Sequence, residues 1–137
     1  MIRTLSILAI PAILLIVIGG CTQELRMYKV TGTVTFDGEP VPIGNIQFVA
    51  TDGVHGAEPG DIKNGKYELK AYEGSKRVEI SAPKIIPGSK LRGAGGEPVP
   101  EEYLPERYNA SSELKATVKP DDKNTIDFTL TSKKSTP

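Results

Sequence analysis

The sequence predicts an all-β domain, a β-sandwich of seven short antiparallel strands that follows an N-terminal signal segment. Three observations predict it. Apolar residues recur at every second position in segment after segment, and no long stretch carries the helical period. Asn64-Gly65 separates two such segments, and this pair accepts the positive φ angles of a tight hairpin. Turn-forming clusters punctuate the rest at the spacing of a sandwich.

The first strand runs from Tyr28 to Phe36, with Val30, Val34 and Phe36 on one face and Lys29, Thr31, Thr33 and Thr35 on the other. Asp37-Gly38-Glu39-Pro40 ends it in a turn. Asn45 to Ala50 repeats the alternation, with Ile46, Phe48 and Ala50 inward. The Asn64-Gly65 hairpin follows. A two-residue loop sets Lys63 opposite Lys66 and Ile62 opposite Tyr67, so Ile62, Tyr67, Leu69 and Ala71 share a buried face. Glu73-Gly74 turns the chain again, and Val78, Ile80 and Ala82 point inward. A long loop then leads to Leu114, Ala116 and Val118. Pro120 to Asn124 turns into a last strand with Ile126, Phe128 and Leu130 buried. Residues 28–131 form the domain, and the polar tail 132–137 is expected to fray.

The first twenty residues divide as a secretory signal does. Arg3 supplies the positive charge, and Leu5 to Ile18 is uncharged and apolar. A helix of that length spans roughly 20 Å, against a hydrocarbon core of about 30 Å. Gly19, Gly20 and the only cysteine, Cys21, close the run. This end resembles the box of bacterial lipoprotein signals, with Ile18 and Gly19 in its first two places. The resemblance implies removal of residues 1–20 and lipidation of Cys21, which would tie the protein to a membrane. Thr22 stands where lipoproteins retained at the inner membrane carry Asp, which implies the outer membrane. Residues 21–27 form the anchor and a short tether, which holds the domain within roughly 25 Å of the bilayer at ~3.5 Å per residue. The alternatives are an uncleaved anchor and a general signal peptide in which the cysteine is incidental.

The remaining chain is one small domain. The whole sequence has 17 basic and 17 acidic residues, and Arg3 leaves with the signal, so the mature part is close to neutral. No basic excess points to nucleic acid or to an anionic membrane surface. With Cys21 carrying lipid, no intrachain disulfide forms, and the fold rests on its apolar core.

Val30-Thr-Gly-Thr-Val-Thr-Phe-Asp-Gly-Glu-Pro-Val-Pro42, then Gly44-Asn-Ile-Gln-Phe-Val49, then Gly65-Lys-Tyr-Glu-Leu69, resembles the carboxypeptidase regulatory-like, transthyretin-like domains. These open with V-x-G-x-V and carry a Gly-x-Tyr-x-(Leu/Val) strand. The likeness spans residues 28–82, and 113–131 fits the closing strands. It implies an Ig-like or prealbumin-like sandwich without catalysis, used as an adhesive, spacer or structural module in the cell envelope. Fold alone does not give function.

No constellation of residues carries a reaction. His55 is the only histidine and reads as a solvated loop residue. Asp121, Asp122 and Asn124 read as turn formers rather than a calcium loop. Lys29 faces outward, which leaves no buried lysine on the first strand for a covalent crosslink. Gly93 to Gly96 lacks the Lys-Ser/Thr of a phosphate loop. Asn109-Ala110-Ser111 is a glycosylation sequon, for which a bacterial envelope protein has no expected use.

The long segment 83–112 is the candidate partner-binding loop. It is rich in Pro and Gly, basic at Lys84, Lys90 and Arg92, and acidic at Glu97, Glu101 and Glu102. Arg92, Tyr103, Leu104, Arg107 and Tyr108 are its candidate contact residues, being of types favoured at interfaces. The alternative is that Leu104 and Tyr108 dock back onto the sandwich.

Three classes of function follow. The first is a lipid-anchored envelope module that binds or braces another envelope component without catalysis or cofactor. The second is glycan binding, for which there is no Trp and only scattered tyrosines. The third is an enzyme. Within the transthyretin-like fold, hydroxyisourate hydrolases rely on several histidines, an arginine and a terminal Tyr-Arg-Gly-Ser. This chain has one histidine and ends Ser135-Thr136-Pro137.

Overall fold

A computed structural model of the chain describes residues 25–133. The signal segment, Cys21, the first part of the tether and the end of the tail lie outside the described residues.

The domain is all-β. Its main strands are β1 (Met27–Phe36), β3 (Ile43–Ala50), β4 (Ala57–Lys63), β5 (Lys66–Tyr72), β6 (Gly74–Ser81) and β9 (Lys115–Val118). Short ones are β2 (Glu39–Pro40), β7 (Pro83–Lys84), β8 (Glu101–Glu102), β10 (Asn124–Thr125) and β11 (Phe128–Leu130). A curled sheet in the order β10-β1-β5-β4-β3-β6-β9 folds over one core, as in a β-sandwich, and β2 and β11 join β1 farther along.

The expected register of the hairpin is present: Ile62 pairs with Tyr67 and Lys63 with Lys66. Asn64 and Gly65 take φ of 51° and 72°, which is why this dipeptide stands there. The inward residues of each strand are buried together, including Val30, Val34, Ile46, Phe48, Ile62, Leu69, Val78, Ile80, Val118 and Leu130. Phe48, Tyr67 and Phe128 form an aromatic triangle at the centre, with ring centroids 6.2–6.3 Å apart.

The closing strand departs from the expected all-antiparallel pattern. β10 and β11 both run parallel to β1, with Val30 opposite Asn124 and Val34 opposite Phe128. Turn 119–123 therefore does not make a simple hairpin. It carries the chain from β9, at one rim of the sheet, to β1, near the other. Between β10 and β11 the chain lies directly on β1: Ile126 N donates to Thr31 O at 2.9 Å and Tyr67 Oη donates to Ile126 O at 2.6 Å. Gly32 lies beneath this crossing, where an added Cβ would sit 1.8 Å from Ile126 O. Backbone cannot yield as a flexible side chain would. Gly32→Ala is expected to destabilise the domain by roughly 1–3 kcal/mol, the usual cost of overpacking, as read by urea unfolding.

The strands give the domain two ends. The lower end, where β1 begins, holds residues 25–28, loop 51–56, the start of β6 and turn 119–123. Met27 pairs with Tyr72, Gly74 pairs with Val118, and Arg26 meets Asp122 at 2.6 Å. The upper end, where β1 finishes, holds turns 37–38 and 64–65 and most of segment 83–108. Phe36 reaches Tyr103 there, and Asp37 N donates to Leu130 O.

Candidate functional site

Segment 83–112 is built in two parts. A two-stranded ribbon, β7 with β8, closes its base: Pro83 pairs with Glu102 and Lys84 with Glu101. Glu102 fastens the ribbon to the sandwich. Its carboxylate accepts Ser81 Oγ at 2.6 Å, Ala82 N at 2.9 Å and Leu104 N at 2.9 Å.

From Tyr103 onward the chain is docked. Tyr103 meets Phe36 edge-on, with centroids 5.8 Å apart, and Lys84 Nζ lies 4.1 Å from the Tyr103 ring centroid. Burial, with the Glu102 carboxylate adding to it, pushes the Tyr103 phenol above its ordinary range. Leu104 and Tyr108 are buried in the main core, at 4% and 8% exposure. A single 3-10 turn, Glu106–Tyr108, aims Arg107 and Tyr108 at the end of β11. Arg107 Nη2 donates to Thr131 O and, at 3.0 Å, to Lys133 O. Tyr108 Oη hydrogen-bonds both Thr131 O and Thr131 N at 3.1 Å. Residues 132 and 133, expected to fray, are therefore held, and Asp37 accepts Ser132 N at 2.8 Å as well.

Residues 85–99 stand away from the core. Arg92 bridges to Pro98, and its Nη1 donates to Ser89 O at 2.7 Å and Leu91 O at 2.8 Å. These bonds shape the loop from within and leave the guanidinium without a carboxylate partner among the described residues. Ile85 and Leu91 are about half exposed, at 49% and 54%. Of the five residues nominated from sequence, Arg92 alone belongs to this projecting part. Tyr103, Leu104, Arg107 and Tyr108 make their contacts inside the domain.

Two features escaped the sequence reading. The first is a buried ion pair. Lys76 Nζ lies 2.8 Å from Glu58 Oε1, with side chains 1% and 6% exposed. Glu58 Oε2 is buried without a partner among the described residues. Lys76 is in phase with Val78, Ile80 and Ala82, so extending that alternation by one step places it on the inward face without naming its partner. The second is a clamp in loop 51–56. His55 is not solvated as expected: its ring packs at a tilt against Tyr72 with centroids 4.5 Å apart, and its Nδ1 meets Asp52 Oδ2 at 2.8 Å. Asp52 also accepts the N–H groups of Val54 and His55 at 2.9 and 3.1 Å. The His55 bond first, and these N–H groups after it, hold the Asp52 carboxyl well below its ordinary range. A depressed carboxylate favours the fold above its unfolded pKa, and that contribution fades as pH falls through the folded value.

Asp121 serves the turn, as expected, whereas Asp122 reaches out of it to the start of the first strand. Asp121 Oδ1 accepts Lys123 N at 2.9 Å, and Asp122 bonds Arg26 and Lys29 N. Lys29 faces out and pairs with Glu68 at 2.8 Å. A groove of about 830 Å³ runs along β6 and β9, between Thr51, Arg77 and Lys115. Another, of about 770 Å³, lies on the outer face of β1 and β5, beside Thr33, Lys66 and Asp127. Neither includes any of the five nominated loop residues.

No family model matches the chain, and no curated protein does. Among solved structures, a 9R-lipoxygenase from Cyanothece PCC8801 aligns at 15% identity with a TM-score of 0.38. The alignment covers 77% of this chain and only 16% of the lipoxygenase chain. A likeness that distant carries no argument about fold or activity.

Proposed function

We propose that this protein is a lipid-anchored cell-envelope module without catalysis, which binds or braces another envelope component through the projecting residues 85–99. The observation that carries this reading is the separation of the two ends. The chain enters at the lower end, four residues after Cys21, and segment 85–99 departs from the upper end. β1 alone is ten residues long, about 33 Å at ~3.3 Å per residue. An anchor on Cys21 would hold the lower end at the membrane and present the loop outward. The lipoprotein box and the likeness to transthyretin-like modules support the same reading, with the outer membrane as the expected site.

The projecting part suits an interface. Ile85 and Leu91 offer apolar area, while Lys90 and Arg92 offer positive charge with no carboxylate partner among the described residues. The matching partner surface is apolar with acidic groups, and complementary charge favours both encounter and selectivity. A photoreactive residue at position 91 tests this in the native envelope. The expected result is one discrete adduct, lost when Lys90→Glu and Arg92→Glu are combined, and absent when the probe stands at Glu73. An adduct with glycan instead of protein would favour the glycan-binding reading. A yield unchanged by the charge reversal would reject this surface.

A further inference from the structure

The lower end of the domain carries an exposed apolar side chain that the fold holds out from the surface. Val54 is 80% exposed at the tip of loop 51–56. Loop tips in water ordinarily carry polar residues, and a mobile loop would let a valine fold back. Here the loop is pinned. Gly53 takes a positive φ of 72°, and Asp52 accepts the N–H groups on either side of the tip's peptide, from Val54 and His55. The Asp52–His55 hydrogen bond and the packing of His55 against Tyr72 fix the base. Tyr72 pairs with Met27, so this loop stands beside the point where the chain enters the domain. Leu25, 73% exposed, and Met27, 38% exposed, lie on that entering segment.

We infer that this end is a membrane-contact surface, with Val54 and Leu25 entering the headgroup boundary of the bilayer that holds the lipid on Cys21. The inference rests on the lipid-anchor reading above and deepens it. Only residues 22–24 separate Cys21 from Leu25, a reach of roughly 14 Å at ~3.5 Å per residue. So short a tether holds Leu25 within that distance of the lipidated residue, close enough for this end of the domain to meet the surface. Charge opposes the contact only weakly. Asp122 is paired with Arg26, and Lys119 and Lys123 flank Asp121 on the adjoining turn, leaving Asp52 and Glu73 as the acids of this end without a lysine or arginine partner among the described residues. The contact is apolar in character, so it should persist in salt, unlike one made by a basic patch.

The chain has no Trp, so a single introduced indole reports its own surroundings. The full chain is expressed in a Gram-negative bacterium as Val54→Trp and, separately, as Ile43→Trp. Ile43 is 71% exposed at the upper end and serves as the far-side control. Each protein is purified from the membrane and placed in phosphatidylcholine vesicles with or without brominated acyl chains. The mass of the N-terminal peptide reads the lipid on Cys21 independently. The expected result is a lipidated Val54→Trp protein whose indole emission is blue-shifted and quenched by bromine, in low and high salt alike, while the Ile43→Trp signal is neither. A lipidated protein whose indole at position 54 is unquenched overturns the membrane contact and leaves the anchor standing. A protein without lipid overturns both.

Discussion

Lys76→Met is expected to lower the unfolding free energy by about 3–5 kcal/mol, because it leaves the Glu58 carboxylate buried without its cation. The pair is 2.8 Å apart, with side chains 1% and 6% exposed, so water cannot take the place of the lost ammonium. Total stability of a domain this size is on the order of 5–15 kcal/mol, so the loss consumes a large part of it. A second substitution separates lost pairing from lost packing. In the Glu58→Leu/Lys76→Met double variant no charge remains to be solvated, and stability should return to about the parent value or exceed it. Urea midpoints at constant m-value would read both effects. If Lys76→Met alone costs under about 1 kcal/mol, the pair behaves as a solvated surface pair and not as part of the core.

The same two residues show where the sequence stops being legible. Tyr28 to Phe36, Asn45 to Ala50 and the Asn64-Gly65 hairpin were readable because period-two burial and turn chemistry are local properties. Lys76 and Glu58 obey the same period, yet a long charged side chain at an inward position looks like the end of a strand. Only the partner across β3 makes it a core residue, and nothing local names that partner. The first half of β4 was hidden for a different reason. Glu58-Pro59-Gly60 reads as a turn, but Pro59 pairs with Gln47 of β3, and the ladder of β4 with β5 begins only at Asp61. The missing N–H of Pro59 thus has no ladder bond to break. Alternation also says nothing about neighbours: it places Phe128 and Leu130 inward correctly without revealing that β11 runs parallel to β1. In the candidate site, composition located segment 83–112. It could not divide the docked Leu104 and Tyr108 from the projecting Arg92, because aromatic and apolar residues serve cores and interfaces alike.

That division has a large and asymmetric consequence. Leu104→Ala should cost about 2–5 kcal/mol, the range for removing a buried leucine side chain from a core that cannot fully collapse. Leu104 is 4% exposed, and its N–H is held by the same Glu102 carboxylate that fastens the ribbon to Ala82, so little rearrangement can refill the space. Arg92→Ala should change stability by no more than about 0.5 kcal/mol, since its guanidinium touches only carbonyls of its own loop. Partner capture should show the reverse order. Arg92→Ala would weaken the adduct formed from position 91 in a fully folded protein. At temperatures where Leu104→Ala is still folded, the adduct should form normally. Equal stability losses at the two positions would mean that segment 85–99 is as much a part of the core as 103–108. The projecting surface would then be lost as the contact region, because a segment needed to hold the sandwich together is not free to carry a partner. Unequal losses, with capture following Arg92 and not Leu104, would tie recognition to the outer part of the loop and folding to its base.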